Sequence, residues 1–132
     1  MNPIILDTDV ASLSFKRKLP MPVAARLAGC RPAITFVTLG ELTKWHHVRQ
    51  WGPARRDALE RWLTRMVVLP GTPKVARKWG EITACAKVRG RPRPANDTWI
   101  AACCLAYEAP LATLNVKDFA DFADHEGLRL LL

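Results

Sequence analysis

A chain of 132 residues, 49% of them hydrophobic, has the length and apolar content of one folded domain, taken here as residues 1–132. No run approaches the roughly 20 apolar residues of a membrane span, and residues 1–7 lack the basic-then-apolar layout of a secretory leader, so a soluble, cytoplasmic protein is expected. The net charge of +8 is unevenly spread: residues 49–93 carry twelve basic and three acidic side chains, residues 94–132 two and six, a pattern that fits a polyanion-binding surface beside a place where carboxylates collect.

Along the chain, Ile4, Ile5 and Leu6 form a short apolar run ended by Asp7, and residues 33–38 form a second run rich in β-branched residues. Both read as buried strands. Residues 53–65 predict a helix with Ala58, Leu59, Trp62 and Leu63 inward and Arg55, Arg56, Glu60, Arg61 and Arg65 outward, Pro53 occupying its first turn. Residues 66–69 predict a third strand, stopped by Pro70 and Gly71. A further helix over 74–87 follows, carried by Val75, Trp79, Ile82 and Ala86.

Two prolines and a glycine make residues 88–94 a loop from which Arg89, Arg91 and Arg93 project. Residues 98–107 are apolar nearly all round, which predicts a buried helix with Asn96 as its cap. Residues 111–114 and 128–132 supply a fourth and a fifth strand. Strands alternating with helices predict an α/β fold, a three-layer α/β/α sandwich around a mainly parallel sheet. Cys30, Cys85, Cys103 and Cys104 have no metal-binding or disulfide spacing and read as small buried apolar residues.

In an open parallel sheet, functional groups converge beyond the carboxyl ends of the strands. Asp7, Glu41, Asp97 and Asp118 occupy such positions, whereas Asp9, Asp57, Asp121 and Asp124 read as surface or turn residues. Two carboxylates about 5 Å apart repel by about 3 kcal/mol at an effective dielectric of 20, so a cluster of them takes up protons or a cation. An all-oxygen set favours Mg²⁺, with Mn²⁺ as a substitute, over zinc. The chemistry that such a site serves is phosphodiester hydrolysis.

The segments LDTDVAS at 6–12, ITFVTLGEL at 34–42, ANDTWIAA at 95–102 and ATLNVKDF at 112–119 resemble, in order and spacing, the motifs of PIN-domain nucleases. The likeness is nearest to the toxins of VapBC-type toxin–antitoxin modules and spans nearly the whole chain. It implies that Asp7, Glu41, Asp97 and Asp118 form the acidic metal site of an endoribonuclease that cuts cellular RNA, with tRNA or ribosomal RNA as targets. It also implies silencing by a cognate antitoxin, and a homodimer. Asp9 stands where the family usually has asparagine, and Asn115 where some members have aspartate, which leaves the fourth carboxylate position between Asn115 and Asp118. Thr8 and Ser12 match positions that hydrogen-bond within the site.

RNA is then expected to lie across the mouth of the pocket, held by Arg89, Arg91 and Arg93 or by Lys16, Arg17 and Lys18. Trp62, Trp79 and Trp99 fall on apolar helical faces. Trp45 and Trp51, beside His46 and His47, are expected at an antitoxin or dimer contact. Two other readings compete: a non-catalytic RNA-binding or regulatory module of the same fold, and a receiver-type acidic pocket, for which Lys117 falls too late after Leu114 to serve as the pocket lysine.

Overall fold

A computed structural model of the chain describes residues 3–131. Among them, β1 (Pro3–Leu6), β2 (Arg31–Thr35), β3 (Val67–Leu69), β4 (Leu111–Ala112) and β5 (Leu130–Leu131) form one sheet in the order β3-β2-β1-β4-β5. Every neighbouring pair is parallel. The crossovers hold α1 (Thr8–Phe15), α2 (Met21–Leu27), α3 (Phe36–Val48), α4 (Pro53–Thr64), α5 (Pro73–Val88), α6 (Ala95–Ala106) and α7 (Val116–Glu126).

The three layers follow from the alternation of side chains along the strands. Ile4 and Leu6 enter one core with Val10 and Ala11 of α1, Leu42 of α3 and Leu59 and Trp62 of α4. Ile5, between them, enters the opposite core with Val75 and Ile82 of α5, most of α6, and Phe119 and Phe122 of α7. A strand buried on both faces needs a continuous apolar run, which Ile4, Ile5 and Leu6 supply. The α6 segment, packed between the sheet and α5, buries Cys103 and Cys104 together; Cys30 is half-buried and Cys85 exposed, so the expectation of four buried thiols holds for two. No helix among the described residues is long and apolar enough to cross a membrane.

Several boundaries differ from expectation, each for a local reason. The β-branched run of residues 33–38 leaves the sheet at Thr35, whose hydroxyl accepts the Thr38 N–H at 3.2 Å and so starts α3 with no intervening loop. Asn96 does not cap α6; Pro94 does, without a side-chain bond, and Asn96 lies in the first turn. The strands expected over 66–69, 111–114 and 128–132 are shorter, and Leu132 lies outside the described residues.

The loop of residues 88–94 does not project three arginines. Arg91 is exposed, but Arg89 and Arg93 turn back onto α7, both reaching Asp121 Oδ2, at 3.1 and 2.7 Å. Arg93 Nη1 also lies 2.7 Å from Glu126 Oε1, a charge contact outside hydrogen-bond geometry, and its guanidinium sits 4.1 Å from the Phe122 ring centroid. Asp121, expected to be a plain surface group, is thus the anchor of the chain segment that leads into α6.

Candidate active site

β1 and β4 are adjacent although the sheet grows outward from them in opposite directions, and the crevice at their carboxyl ends is where an open α/β sheet collects functional groups. Asp7 is the residue at which β1 stops. It is 4% exposed and caps α1, its Oδ1 accepting the Val10 N–H at 2.8 Å, while its Oδ2 accepts the hydroxyl of Thr113 just past β4. The same Thr113 oxygen accepts the Asn115 N–H at 2.9 Å. One threonine therefore orients the buried carboxylate and shapes the turn into α7.

Thr8, the next residue after Asp7, donates its hydroxyl to Glu41 Oε1 at 2.9 Å. An ionised carboxylate can only accept, so the buried contact of 3.0 Å between the Thr8 and Thr38 hydroxyls has Thr38 as donor. This chain of hydroxyls fixes Glu41, in the second turn of α3, against the start of α1. Asp97 and Asp118 come from the first turns of α6 and α7, where the positive end of the helix dipole favours a carboxylate.

Asp7, Glu41, Asp97 and Asp118 line a single cavity of about 150 Å³. Thr8 and Asn115 line it too, as do Asp9, Trp45, Asn96, Ile100 and Phe119. Ser12 is buried one turn beyond Thr8 and does not reach the cavity. Asn115 and Asp118 divide the position that the sequence left open: the Asn115 amide donates to Asp9 Oδ2 at 2.8 Å, whereas the Asp118 carboxylate is exposed and repels that of Asp97. Lys16, Arg17 and Lys18 follow the far end of α1, one helix length of about 12 Å from Asp7, and are not at the mouth.

The sequence did not single out Thr113 or Thr38, and Asp9, expected as a surface or turn residue, is exposed but also lines the cavity. Thr38 reads as one more strand former in a β-branched run and Thr113 as part of a short apolar strand; only their place near the end of each segment sets them apart. Trp45 was set apart for a partner contact; it is half-buried at the cavity wall, with the Arg49 guanidinium 5.2 Å from its ring centroid.

The electrostatics are those of unneutralised like charges. Burial first, then the neighbouring Asp9 and Glu41, push Asp7 upward against the hydrogen bonds that lower it. Asp97 is raised to about 6, by burial first and then by Asp118, Glu41, Asp7 and Asp9. The donor set is all oxygen and carries more negative charge than it can hold bare, which fits a hard divalent cation. Among the described residues no three acidic, histidine or cysteine groups are drawn tightly enough to enclose a metal unaided. An ion of the magnesium type, which keeps waters and takes substrate phosphate oxygens, suits so open a set.

A stability test follows. Asp97 holds its proton more tightly in the folded than in the unfolded chain, so stability falls as pH rises from 3.8 to about 6, and at pH 7 the ionised group opposes folding. Asp97→Asn is expected to stabilise the metal-free protein by about 1 to 2 kcal/mol, allowing for solvent screening of a half-buried group. Thermal unfolding in EDTA at pH 7 measures this. Mg²⁺ should then raise the Tm of the parent protein more than that of the variant; a variant no more stable than its parent in EDTA contradicts the account.

Comparison with known proteins places these features in context. A family profile described as PIN domain matches residues 4–124. Ribonuclease VapC1 of Haemophilus influenzae (strain R2866) is 31% identical over 124 residues, covering 91% of this chain and 92% of that protein. The VapBC-1 structure from nontypeable Haemophilus influenzae superposes with a TM-score of 0.82 at 28% identity, over 99% of this chain and 97% of that one. The DNA-bound VapBC of Salmonella typhimurium, with a TM-score of 0.80 at 24% identity over 99% and 98% of the two chains, shares the fold.

Proposed function

Since the chain belongs to the PIN-domain family, we propose that it is a metal-dependent endoribonuclease, the toxin of a toxin–antitoxin pair, hydrolysing phosphodiester bonds in cellular RNA until a cognate antitoxin silences it. The observation that carries this reading is the meeting of Asp7, Glu41, Asp97 and Asp118 in one cavity at the β1–β4 crevice. Support comes also from the relatives: a ribonuclease by name, and the VapBC-1 structure.

In this reading the four carboxylates hold one or two divalent cations, Mg²⁺ or in its place Mn²⁺. The bound cation supplies positive charge that orients a water and offsets the charge developing on the phosphate. The protein's own work is positional. Thr113 and the Val10 N–H fix both oxygens of Asp7, and Thr8, backed by Thr38, fixes Glu41, so the rotamers need not be ordered when substrate arrives. Asp118, exposed and free of such bonds, is the carboxylate best able to adjust to the substrate. Asn115 serves by holding Asp9 aside. Trp45 and Phe119, at the wall, exclude water from one side of the cavity.

The openness of the carboxylate set also suits the competing reading, a module that binds RNA without cutting it. Incubating total cellular RNA with the purified, antitoxin-free protein separates the two. Discrete products with Mg²⁺ and none with EDTA are expected. Intact RNA with Mg²⁺ or Mn²⁺ supplied would overturn the nuclease and leave the binding module.

A further inference from the structure

Apart from the carboxylate cavity, the molecule carries a groove of about 840 Å³ between the end of α1 and α4. Lys16, Arg17 and Lys18 form one side, and Arg55, Arg61 and Arg65 the other. No carboxylate lines it, and none of the six cations forms an ion pair among the described residues. Lys16 is held below its usual range, by burial first and then by the positive Arg49, Arg55 and Lys18 around it. Six positive charges have thus been gathered without internal compensation.

Phe15 and Trp62 put aromatic rings in the groove wall. Phe15 meets Trp62 edge-on at 5.9 Å and stacks on Trp51 at 5.9 Å, and the Arg55 guanidinium lies 4.2 Å from the Trp51 ring centroid. Arg55 and Arg61 of α4 and Arg65 at its C-cap are set along the helix, spread over about 120° of its circumference, and ten residues of helix extend about 15 Å. A row of that length, mostly of bidentate guanidiniums, matches a run of phosphates better than a single anion.

Without a bound cation the carboxylate cavity cannot supply this grip. Its lining is anionic and repels a phosphate backbone, and two of the three loop arginines expected to help are committed to Asp121. We propose that the α1–α4 groove is a second nucleic-acid subsite, which holds the phosphate backbone of RNA at a distance from the bond that is cut. The proposal rests on the reading of this protein as one that acts on RNA, though not on its cutting RNA.

The test is therefore binding in EDTA, where cleavage plays no part. A short fluorescein-labelled hairpin RNA is titrated with the Asp97→Asn protein over a series of KCl concentrations, followed by anisotropy. Adding Lys16→Ala, Arg61→Ala and Arg65→Ala together should weaken binding about tenfold or more at low salt and flatten the slope of log affinity against log salt by about 2. Arg61→Lys with Arg65→Lys should keep the slope, and unchanged circular dichroism shows that the variants fold. Removing three exposed charges from α5 instead, by Lys74→Ala, Arg77→Ala and Lys87→Ala, should flatten it much less.

An unchanged slope in the groove variant, or equal flattening by both triple variants, overturns the proposal. So does capture of labelled oligo-glutamate by the groove with no change in RNA binding, which would make it a docking surface for an acidic protein segment. A protein that grips RNA through the groove and cuts none with Mg²⁺ keeps this subsite and loses the nuclease reading.

Discussion

Asp7→Asn is expected to lower RNA cleavage by about a thousandfold or more while leaving the fold intact. The carboxylate is buried at the end of β1, so an asparagine there fills the same space. Its remaining oxygen still accepts the Val10 N–H that starts α1, and its amide can donate to Thr113, whose hydroxyl turns round to accept. The charge is lost, and with it, in the proposed reading, an anchor for a divalent cation. A loss of about 4 kcal/mol of transition-state stabilisation corresponds to that thousandfold. Relief of a buried charge makes the variant as stable as the parent or more so.

Asp118→Asn should fall less, since its carboxylate is exposed and bound to nothing else that would be disturbed. Cleavage of total RNA by parent and variants, with thermal unfolding of each, checks the pair of statements. An Asp7→Asn protein that cuts RNA at the parental rate would remove Asp7 from the site.

The second large effect is on stability, and it comes from Arg93→Met. The arginine is 6% exposed, wedged between Asp121 and Glu126 with its guanidinium over Phe122. Removing it leaves Glu126, 12% exposed, uncompensated, a cost of about 3 kcal/mol, while Asp121 keeps Arg89. In a chain of this length that lowers Tm by about 10 °C. Because the Arg93 segment runs into α6, whose third residue is Asp97, cleavage should fall as well, through misplacement and not through lost chemistry.

The acid limb of stability also changes. Asp121 is held down to about 2, chiefly by its bond to Arg89 and then by Arg93. Its contribution is complete above the unfolded value of 3.8 and lost between that and about 2. In Arg93→Met the loss should be smaller and end at higher pH, as the folded carboxyl returns toward its ordinary range. Acid unfolding curves of the two proteins measure this; superimposable curves with equal Tm would show that the arginine anchors nothing.

Much of this was legible in the sequence because it depends on local pattern. Ile4 to Leu6 running into Asp7 declares a buried strand and a charged stop, and the same logic found Asp97 at the head of a buried helix. What escaped depends on partners far apart in the chain. Asp121 looked like a surface acid, since the arginines that claim it stand 28 and 32 residues away. Thr113 looked like one more β-branched strand residue, since its partner is Asp7. The switch from β2 to α3 at Thr35 was hidden for a different reason. Propensity favoured strand through Thr38, and a single side-chain cap outweighed it.

The pairing of Asp7 with Thr113 spans 106 residues, most of the polypeptide. A ribosome adding about 5 to 20 residues each second needs roughly 5 to 20 s to travel from one codon to the other, and longer to bring Thr113 out of its exit tunnel. Until then β1 has no β4 beside it, and Asp7 has neither its orienting hydroxyl nor the carboxylates of α6 and α7. In the proposed reading the nascent chain therefore has no assembled carboxylate site, and competence to cut RNA waits until β4 and α7 have joined β1 and α6.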